Sequence, residues 1–244
     1  MFYSVIFSLF CFALTCVGAA LGFVLKSKNQ KLSAIINSFS AGVMISSAIF
    51  SLIVPSLSYC EILDVKKWIV LPVCFILAYF LYYVLDKNDE TNLNINPKTT
   101  IVCMALHNIP EGMCIGFAFA STILMPSSVS IMSAVMVSVG IGIQNIPEGS
   151  SVAFPLISSG KTKKTAFLIS SIVGFVEVPS AIIACAIGLN FLFIMPYMLA
   201  FASAVMIYVA TIEILPDAIK SNRSLSAFGL FLGLTFMMLL DLAL

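Results

Sequence analysis

Residues 107–112 read HNIPEG and residues 144–149 read QNIPEG, and each copy lies within a long apolar stretch. Each hexapeptide contains a glutamate, whose charge is costly in apolar surroundings, and a proline, which removes a backbone hydrogen bond. Of the 244 residues, 61% are hydrophobic and only 9% are charged. Because soluble domains carry about 25% charged residues, the composition around the two motifs predicts a polytopic membrane protein.

Eight apolar stretches are long enough to cross a bilayer as helices, which takes roughly 20 residues each. We predict spans one to eight at about 2–25, 33–58, 66–85, 99–122, 127–157, 165–188, 191–216 and 224–243. The longest polar connection, residues 86–98, is too short to form a domain. We therefore expect a single all-α transmembrane domain over residues 1–244, with no soluble domain for an ATP site.

Basic residues are distributed unequally between the two sides of the predicted bundle. Ten of the 12 Lys and Arg residues fall in the loops after spans one, three, five and seven, and only Lys66 and Lys67 fall in the others. Because basic residues mark cytoplasmic loops, this bias predicts that both termini are extracytoplasmic. The first span is followed rather than preceded by basic residues, which favours a membrane span over a cleaved signal peptide. The seven cysteines form no CxxC pair, and we interpret them as small hydrophobic residues.

Three glutamates lie well inside the predicted spans: Glu111 in span four, Glu148 in span five and Glu177 in span six. His107, the only histidine, also lies inside span four, whereas no Lys or Arg lies inside any span. An ionisable residue within a membrane span indicates a functional site by default. The three carboxyl groups must be protonated, hydrated, or neutralised by a cation that is not part of the chain.

Each motif places a second ligand-type side chain four residues before its glutamate, so that both lie on one face of the helix. The resulting set is His107 with Glu111 and Gln144 with Glu148, and one position further on, about 100° around the helix, Asn108 and Asn145. Imidazole, carboxylate and amide ligands together suit first-row divalent ions such as zinc, whereas calcium and magnesium prefer oxygen alone. Cys103 lies four residues before His107, so its sulfur stays an alternative as a soft ligand on the same face of the helix.

The remaining residues of the two motifs also fit a buried ion site. Pro110 and Pro147 cannot donate to the carbonyl one turn earlier, so each motif is expected to open its helix just before the glutamate. Gly112 and Gly149 permit close helix approach. Because successive spans run in opposite directions, the two motifs form an inverted pair near the midplane, a pattern typical of secondary transporters.

Further acids leave alternatives open. Glu177 is expected to add a third carboxylate to the site, with a protonated packing residue as the alternative. Glu213 and Asp217, late in span seven, would form an exit site for the ion or be ordinary interfacial acids. The amides of Gln144, Asn108 and Asn145 would otherwise serve as hydrogen-bonding contacts between helices.

The paired motif on spans four and five resembles the ZIP (Zrt/Irt-like) family of metal transporters. Three further stretches share the resemblance: SAGVMISSAIFSLIVPSL at 40–57, GFVEVP at 174–179 and IEILPD at 212–217. The glutamine that opens the span-five motif is similar to the bacterial GufA-type branch. The resemblance implies eight helices in a 3+2+3 arrangement of inverted repeats, with both termini outside, and transport of zinc and related ions toward the cytoplasm.

The resemblance also implies a binuclear metal centre. Its first ion would be held by His107, Glu111, Gln144 and Glu148, and its second by Asn108, Asn145, Glu148 and Glu177. Some members have aspartate in place of Asn145, so a weaker second site is expected in this chain. The loop at 86–98 contains no histidine, which argues against metal sensing there. Glu213 and Asp217 match acids on the cytoplasmic exit route.

We therefore predict a multi-pass secondary transporter in the cell (inner) membrane that imports Zn²⁺, with Fe²⁺, Mn²⁺, Cd²⁺ and Co²⁺ as alternative substrates. We expect no enzyme activity, no bound cofactor and no nucleic-acid partner; the partners are the ion and the lipid bilayer, and a homodimer stays open. A proton-coupled carrier of a small organic solute is the alternative, although it would usually need a cationic side chain inside the membrane. A metalloenzyme would need more than one histidine, and a structural scaffold would leave the three carboxyl groups unexplained.

Overall fold

The structure of the protein is a computed structural model, which describes residues 1–24, 30–87, 97–124, 130–188 and 192–243. Within these ranges the chain is helical and contains no β-strand, as predicted. The helical segments are Phe2–Val24 for span one; Gln30–Ser47, Ala48–Ile53 and Val54–Ile62 for span two; Lys67–Lys87 for span three; Pro97–Leu124 for span four; Ile131–Ser158 for span five; Lys163–Phe175 and Glu177–Ile187 for span six; Met195–Tyr208, Val209–Ile214 and Leu215–Ser221 for span seven; and Arg223–Ala243 for span eight. A short 3₁₀ turn, Leu192–Ile194, precedes span seven.

Seven of these spans, in the part of the chain whose side chains are described, are long and apolar enough to cross a membrane. The other helix, Pro97–Leu124, is 28 residues long and includes side chains outside the described set. The helices of spans two and four, at 30–62 and 97–124, extend beyond both predicted ends, and span seven continues to Ser221, past its predicted end at 216. Most of the predicted polar connection at 86–98 and the start of predicted span five lie outside the described residues.

The distribution of side chains is the reverse of that in a soluble protein. Large apolar side chains cover the outer surface, among them Trp68 at 73%, Phe231 at 67% and Leu239 at 60% exposure. Serine, asparagine, glutamine and glutamate side chains are buried inside the bundle. Since backbone groups in lipid must be satisfied within the span, an apolar outer surface on continuous helices is the arrangement that a bilayer requires.

Side-chain caps define several helix ends. Span five begins at Ser130, whose hydroxyl accepts from the N–H of Ser133 at 3.1 Å, and Thr162 caps span six in the same way. Such caps satisfy N–H groups that have no partner within the helix. The span-five helix ends at Ser158, and Gly160 follows it with a φ of +90°, where Lys161 N–H bonds to Leu156 O at 3.0 Å.

Glycines allow three pairs of spans to pack with their backbones in contact: one with five, two with eight, and four with six. A Cβ atom on Gly18 would overlap the carbonyl oxygen of Ile146, and one on Gly149 would overlap that of Thr15. A Cβ atom on Gly112 would overlap the carbonyl oxygen of Glu177. The predicted role of Gly112 and Gly149 in close helix approach is thus confirmed, and both motifs lie where their helices touch a neighbour.

Spans two and seven each contain one π-helical turn of 6 residues, Ala48–Ile53 and Val209–Ile214. In both, the residue that follows the turn bonds its N–H to the carbonyl five residues earlier: Val54 to Ile49 and Leu215 to Ala210. A proline comes next in each span. π turns are rare and often lie at functional sites, and Glu213 lies in the second of these two turns.

Candidate metal centre

The side chains of six predicted ligands are buried together with spans four, five and six around them. The exposed fractions are 1% for Asn108, 0% for Glu111, 3% for Gln144, 1% for Asn145, 3% for Glu148 and 0% for Glu177. His107 lies within the span-four helix, but its side chain, like that of Cys103, is outside the described set. Three glutamates and three amides are therefore enclosed in a bundle in which the Lys and Arg residues of the described ranges all lie at or near the helix ends.

The two motifs are joined by a short hydrogen bond between their polar side chains. Nε2 of Gln144 in span five donates to Oε1 of Glu111 in span four at 2.5 Å. The other end of the same amide, Oε1, accepts a hydrogen bond from the hydroxyl of Ser47 in span two. Pro110 and Pro147 lie inside helices that are continuous through both motifs, so the expected opening does not break either helix.

A second hydrogen-bonded pair joins spans five and six. Nδ2 of Asn145 donates to Oε2 of Glu177 at 2.8 Å. Span six has a one-residue irregularity at Val176, which keeps helical backbone angles of φ −57° and ψ −29°, and Glu177 begins its second half, Glu177–Ile187. The irregularity precedes Pro179, and the sequence GFVEVP thus places an acid at this point inside the bundle.

Several acceptor oxygens of this group lack a donor. Oδ1 of Asn108, Oδ1 of Asn145 and Oε1 of Glu177 are buried with no hydrogen-bond partner in the described ranges. Nδ2 of Asn108 is occupied, because it donates to the carbonyl oxygen of Val173 at 3.1 Å. The thiol of Cys11 lies beside the Glu177 carboxyl group but donates to Ser138 O at 3.2 Å. Buried polar atoms are nearly always satisfied in proteins, so this concentration of acceptors suits a cation.

The acids of this group do not surround a single point in the structure. Among the side chains that the structure describes, no three His, Cys, Asp or Glu residues are arranged to hold one ion. Glu111 is paired with Gln144 and Glu177 with Asn145, and Glu148 interacts electrostatically with Glu177. The arrangement therefore consists of two amide–carboxylate pairs with Glu148 near them. The predicted ligands are buried, and those of each pair are hydrogen-bonded to each other.

The two acids of span seven have different surroundings. Glu213 is 8% exposed and lies in the π turn, whereas Asp217 is exposed and lies 4.0 Å from the ammonium group of Lys220. The ion pair of Asp217 fits an interfacial acid, one of the two predicted alternatives. Whether Glu213 forms part of an exit site, the other alternative, stays a prediction.

Sequence reasoning did not select Ser47, although its hydroxyl contacts a predicted ligand. The quoted stretch of span two contains five serines, but serine is common at helix contacts within membranes. The only signal was their spacing: Ser40 and Ser47 are seven residues apart and both bond to span five, Ser40 through the carbonyl oxygen of Pro147 at 2.9 Å. The neighbourhood of Cys11 and Glu177 was also not predicted, because no pattern links span one to span six.

Acids and amides enclosed at the centre of a bundle of apolar helices are typical of proteins that transport ions across a membrane. The family model of the ZIP zinc transporters matches residues 86–241, more than half of the chain. The chain therefore belongs to the ZIP zinc transporter family, as the motifs indicated. Members of this family are transporters and not enzymes.

Known relatives support the same assignment. The chain is 27% identical over 255 residues to the zinc transporter ZIPB of Bordetella bronchiseptica, covering 96% of this chain and 78% of ZIPB. It is 37% identical over 145 residues to the human zinc transporter ZIP11, covering 59% of this chain and 42% of ZIP11. It is 35% identical over 146 residues to the zinc transporter GufA of Myxococcus xanthus, covering 59% of this chain and 54% of GufA. The matched segments thus span about half or less of ZIP11 and GufA.

Proposed function

We propose that the protein imports divalent transition-metal ions, zinc foremost, toward the cytoplasm through the buried site between spans four, five and six. The observation that carries this proposal is the set of buried oxygens without donors, contributed by Asn108, Asn145 and Glu177. A neutral organic solute would bring donors and acceptors together, whereas a cation needs acceptors alone. The zinc transporters among its relatives support zinc as the first substrate to test.

Two ions would share the site. The first would be held by His107, Glu111, Gln144 and Glu148, and the second by Asn108, Asn145, Glu148 and Glu177. An ion that binds Oε1 of Glu111 would displace the 2.5 Å bond from Gln144, and one that binds Oε2 of Glu177 would displace the bond from Asn145. Metal binding at these oxygens would exchange amide–carboxylate hydrogen bonds for ligand bonds.

The direction of transport follows from the distribution of basic residues. Ten of the 12 Lys and Arg residues lie in loops on one side, which the positive-inside rule makes cytoplasmic. The membrane potential, inside negative, would then favour entry of a divalent cation. We place the protein in the cell membrane, with both termini outside and the inverted 3+2+3 arrangement. The matching π turns of spans two and seven, which the topology would run in opposite directions, are consistent with that repeat.

The test is uptake of radioactive zinc into proteoliposomes that contain the purified full-length chain. We expect saturable uptake by the wild type and its loss in Glu111→Gln, which keeps the shape of the side chain but removes its charge. Glu61→Gln is the matched control, because Glu61 is an exposed glutamate at the end of span two, paired with Lys67. Manganese, iron, cobalt and cadmium as competitors would rank the substrates. Folded protein that moved none of these ions would refute the proposal.

A further inference from the structure

Ser47 connects span two to the candidate metal centre, although none of the predicted ligands lies in span two. Its side chain is fully buried, and its hydroxyl bonds to Oε1 of Gln144. Nε2 of the same amide donates to Glu111 at 2.5 Å. The three side chains, from spans two, five and four, form one continuous hydrogen-bonded chain.

The chemistry of the three groups fixes the direction of this chain. The structure places the NH₂ group of the Gln144 amide toward Glu111, whose Oε1 accepts the hydrogen bond. The oxygen of the amide then faces Ser47, and the hydroxyl must donate to it. The hydroxyl therefore holds the amide in one of its two orientations, with the nitrogen toward the carboxylate and the oxygen away from it.

In this orientation, Oε1 of Gln144 can bind a metal ion only in competition with the hydroxyl of Ser47. Glutamine binds a metal ion through Oε1, since its NH₂ group has no lone pair to offer. In the structure that oxygen is the acceptor of a buried hydrogen bond, and the NH₂ group occupies one oxygen of Glu111. An ion that binds Oε1 of both side chains must displace or share the Ser47 bond and break the bond from Nε2.

We propose that Ser47 is a positioning residue that competes with the transported ion for Oε1 of Gln144 and so lowers the affinity of the first metal site. This inference rests on the proposed function and concerns the same site. A transport site has to release its ion, and binding that is too tight slows release, as in channels where conduction needs binding weak enough to leave. Ser47 supplies that weakening from outside the ligand set, so that the affinity is set by a helix that provides no metal ligand of its own.

Removing the hydroxyl of Ser47 should increase the affinity for zinc. In Ser47→Ala, Oε1 of Gln144 becomes a buried acceptor without its donor, which is costly until a cation satisfies it. Zinc should therefore bind more tightly, with a dissociation constant lower by roughly tenfold. The KM for zinc uptake should fall in parallel, and the maximal rate should fall as well, because release becomes slower. A merely structural role for Ser47 would lower the amount of active protein without lowering KM.

Ser46→Ala is the matched control. Ser46 is the neighbouring residue on the same helix, it is 2% exposed, and its hydroxyl has no hydrogen-bond partner among the described residues. The experiment measures zinc binding to purified protein in detergent by calorimetry, and zinc uptake in proteoliposomes, for Ser47→Ala, Ser46→Ala and the wild type. We expect tighter binding than in the wild type for Ser47→Ala alone. Tighter binding in both serine variants, or wild-type affinity in both, would contradict the proposal.

A double-mutant cycle with Gln144→Ala separates the mechanism from indirect effects. Without Gln144, the change Ser47→Ala should no longer alter the dissociation constant; the same gain in both backgrounds would overturn the proposal. If Ser47→Ala does not fold, Ser47→Thr and Ser47→Val form a pair of nearly equal shape that differ by the hydroxyl, and only the valine should bind zinc more tightly. Wild-type protein that neither binds nor transports zinc would instead count against the proposed function.

Discussion

The side-chain amide of Asn145 in span five donates a 2.8 Å hydrogen bond to Oε2 of Glu177, at the first residue of the second half of span six. The other oxygen of each group, Oδ1 of Asn145 and Oε1 of Glu177, is buried without a donor in the part of the chain described. One hydrogen bond thus joins the two side chains, and each keeps one acceptor oxygen that has no donor among the described residues. A second metal ion would be bound where a neutral amide and one carboxylate meet.

Replacing Asn145 with aspartate tests the second site. The variant loses the N–H donor and places two carboxyl groups together, so the metal-free protein should be less stable by about 1–3 kcal/mol. Zinc should restore the loss, because a fourth carboxylate strengthens the site. The measurement is the melting temperature with and without zinc, together with the number of ions bound per chain. Asn37→Asp, a buried span-two change at 8% exposure, serves as a control; an equal zinc response in both variants would count against the second site.

Gly112→Ala should disturb the centre through backbone packing alone. The new methyl group would overlap the carbonyl oxygen of Glu177, so spans four and six have to separate, at a cost of about 1–3 kcal/mol. Separation moves Glu111 and Glu177 apart, and zinc affinity should fall with stability. Gly142→Ala is the control, because its methyl group would meet the ends of the Phe10 and Leu14 side chains, which can shift. Calorimetric zinc titration and thermal unfolding of both variants check the contrast.

The acids of span seven should differ in their effect on transport. Glu213→Gln alters a buried residue of the π turn, and we expect a several-fold lower rate of zinc uptake with an unchanged dissociation constant at the centre. Asp217→Asn removes an exposed partner of Lys220. Since surface ion pairs contribute about 0–1 kcal/mol, uptake should change by no more than about twofold. Equal losses of uptake in the two variants would assign both acids to the exit route.

Zinc binding should release protons. Carboxylate and imidazole ligands must be deprotonated when they bind a metal, so affinity should fall as the solution becomes more acidic. Calorimetry in two buffers of different ionisation enthalpy measures the release, and we expect at least about one proton per ion. The release should become smaller in Glu111→Gln, which has one titratable ligand fewer. Binding enthalpies that do not depend on the buffer would contradict this expectation.

The sequence predicted the helical membrane fold and the buried position of the six described ligand side chains. Both predictions rest on polarity, because Glu111 and Glu177 are acidic residues within stretches of sequence that are otherwise apolar. The sequence did not predict which side chains are bonded to which, such as Asn145 to Glu177, because that depends on the rotation and separation of the helices. The metal-binding roles of these six residues and of His107 stay predictions, and the side chain of His107 is outside the described set.

Other features escaped prediction because their sequence signal is shared with ordinary packing. Ser47 is one of several serines in span two, and nothing in its local sequence separates it from Ser46. The irregularity of span six at Val176 had a proline nearby, yet Pro110 and Pro147 lie in helices that continue without interruption. A proline therefore marks where a helix can be opened, and the surrounding packing decides whether it is.

The π turns of spans two and seven make the register of these helices adjustable by one residue. Deletion of one residue within Ala48–Ile53 would restore a regular α-helix, and the part of span two from Val54 onward would keep its faces, because the wide turn holds one extra residue. Ser47 precedes the turn and would keep its contact with Gln144, while Ser51 lies inside the turn and would lose its place opposite Asp241, to which it now donates at 2.6 Å. A one-residue deletion can thus change the contacts of the turn alone, while the first half of span two stays against the metal centre.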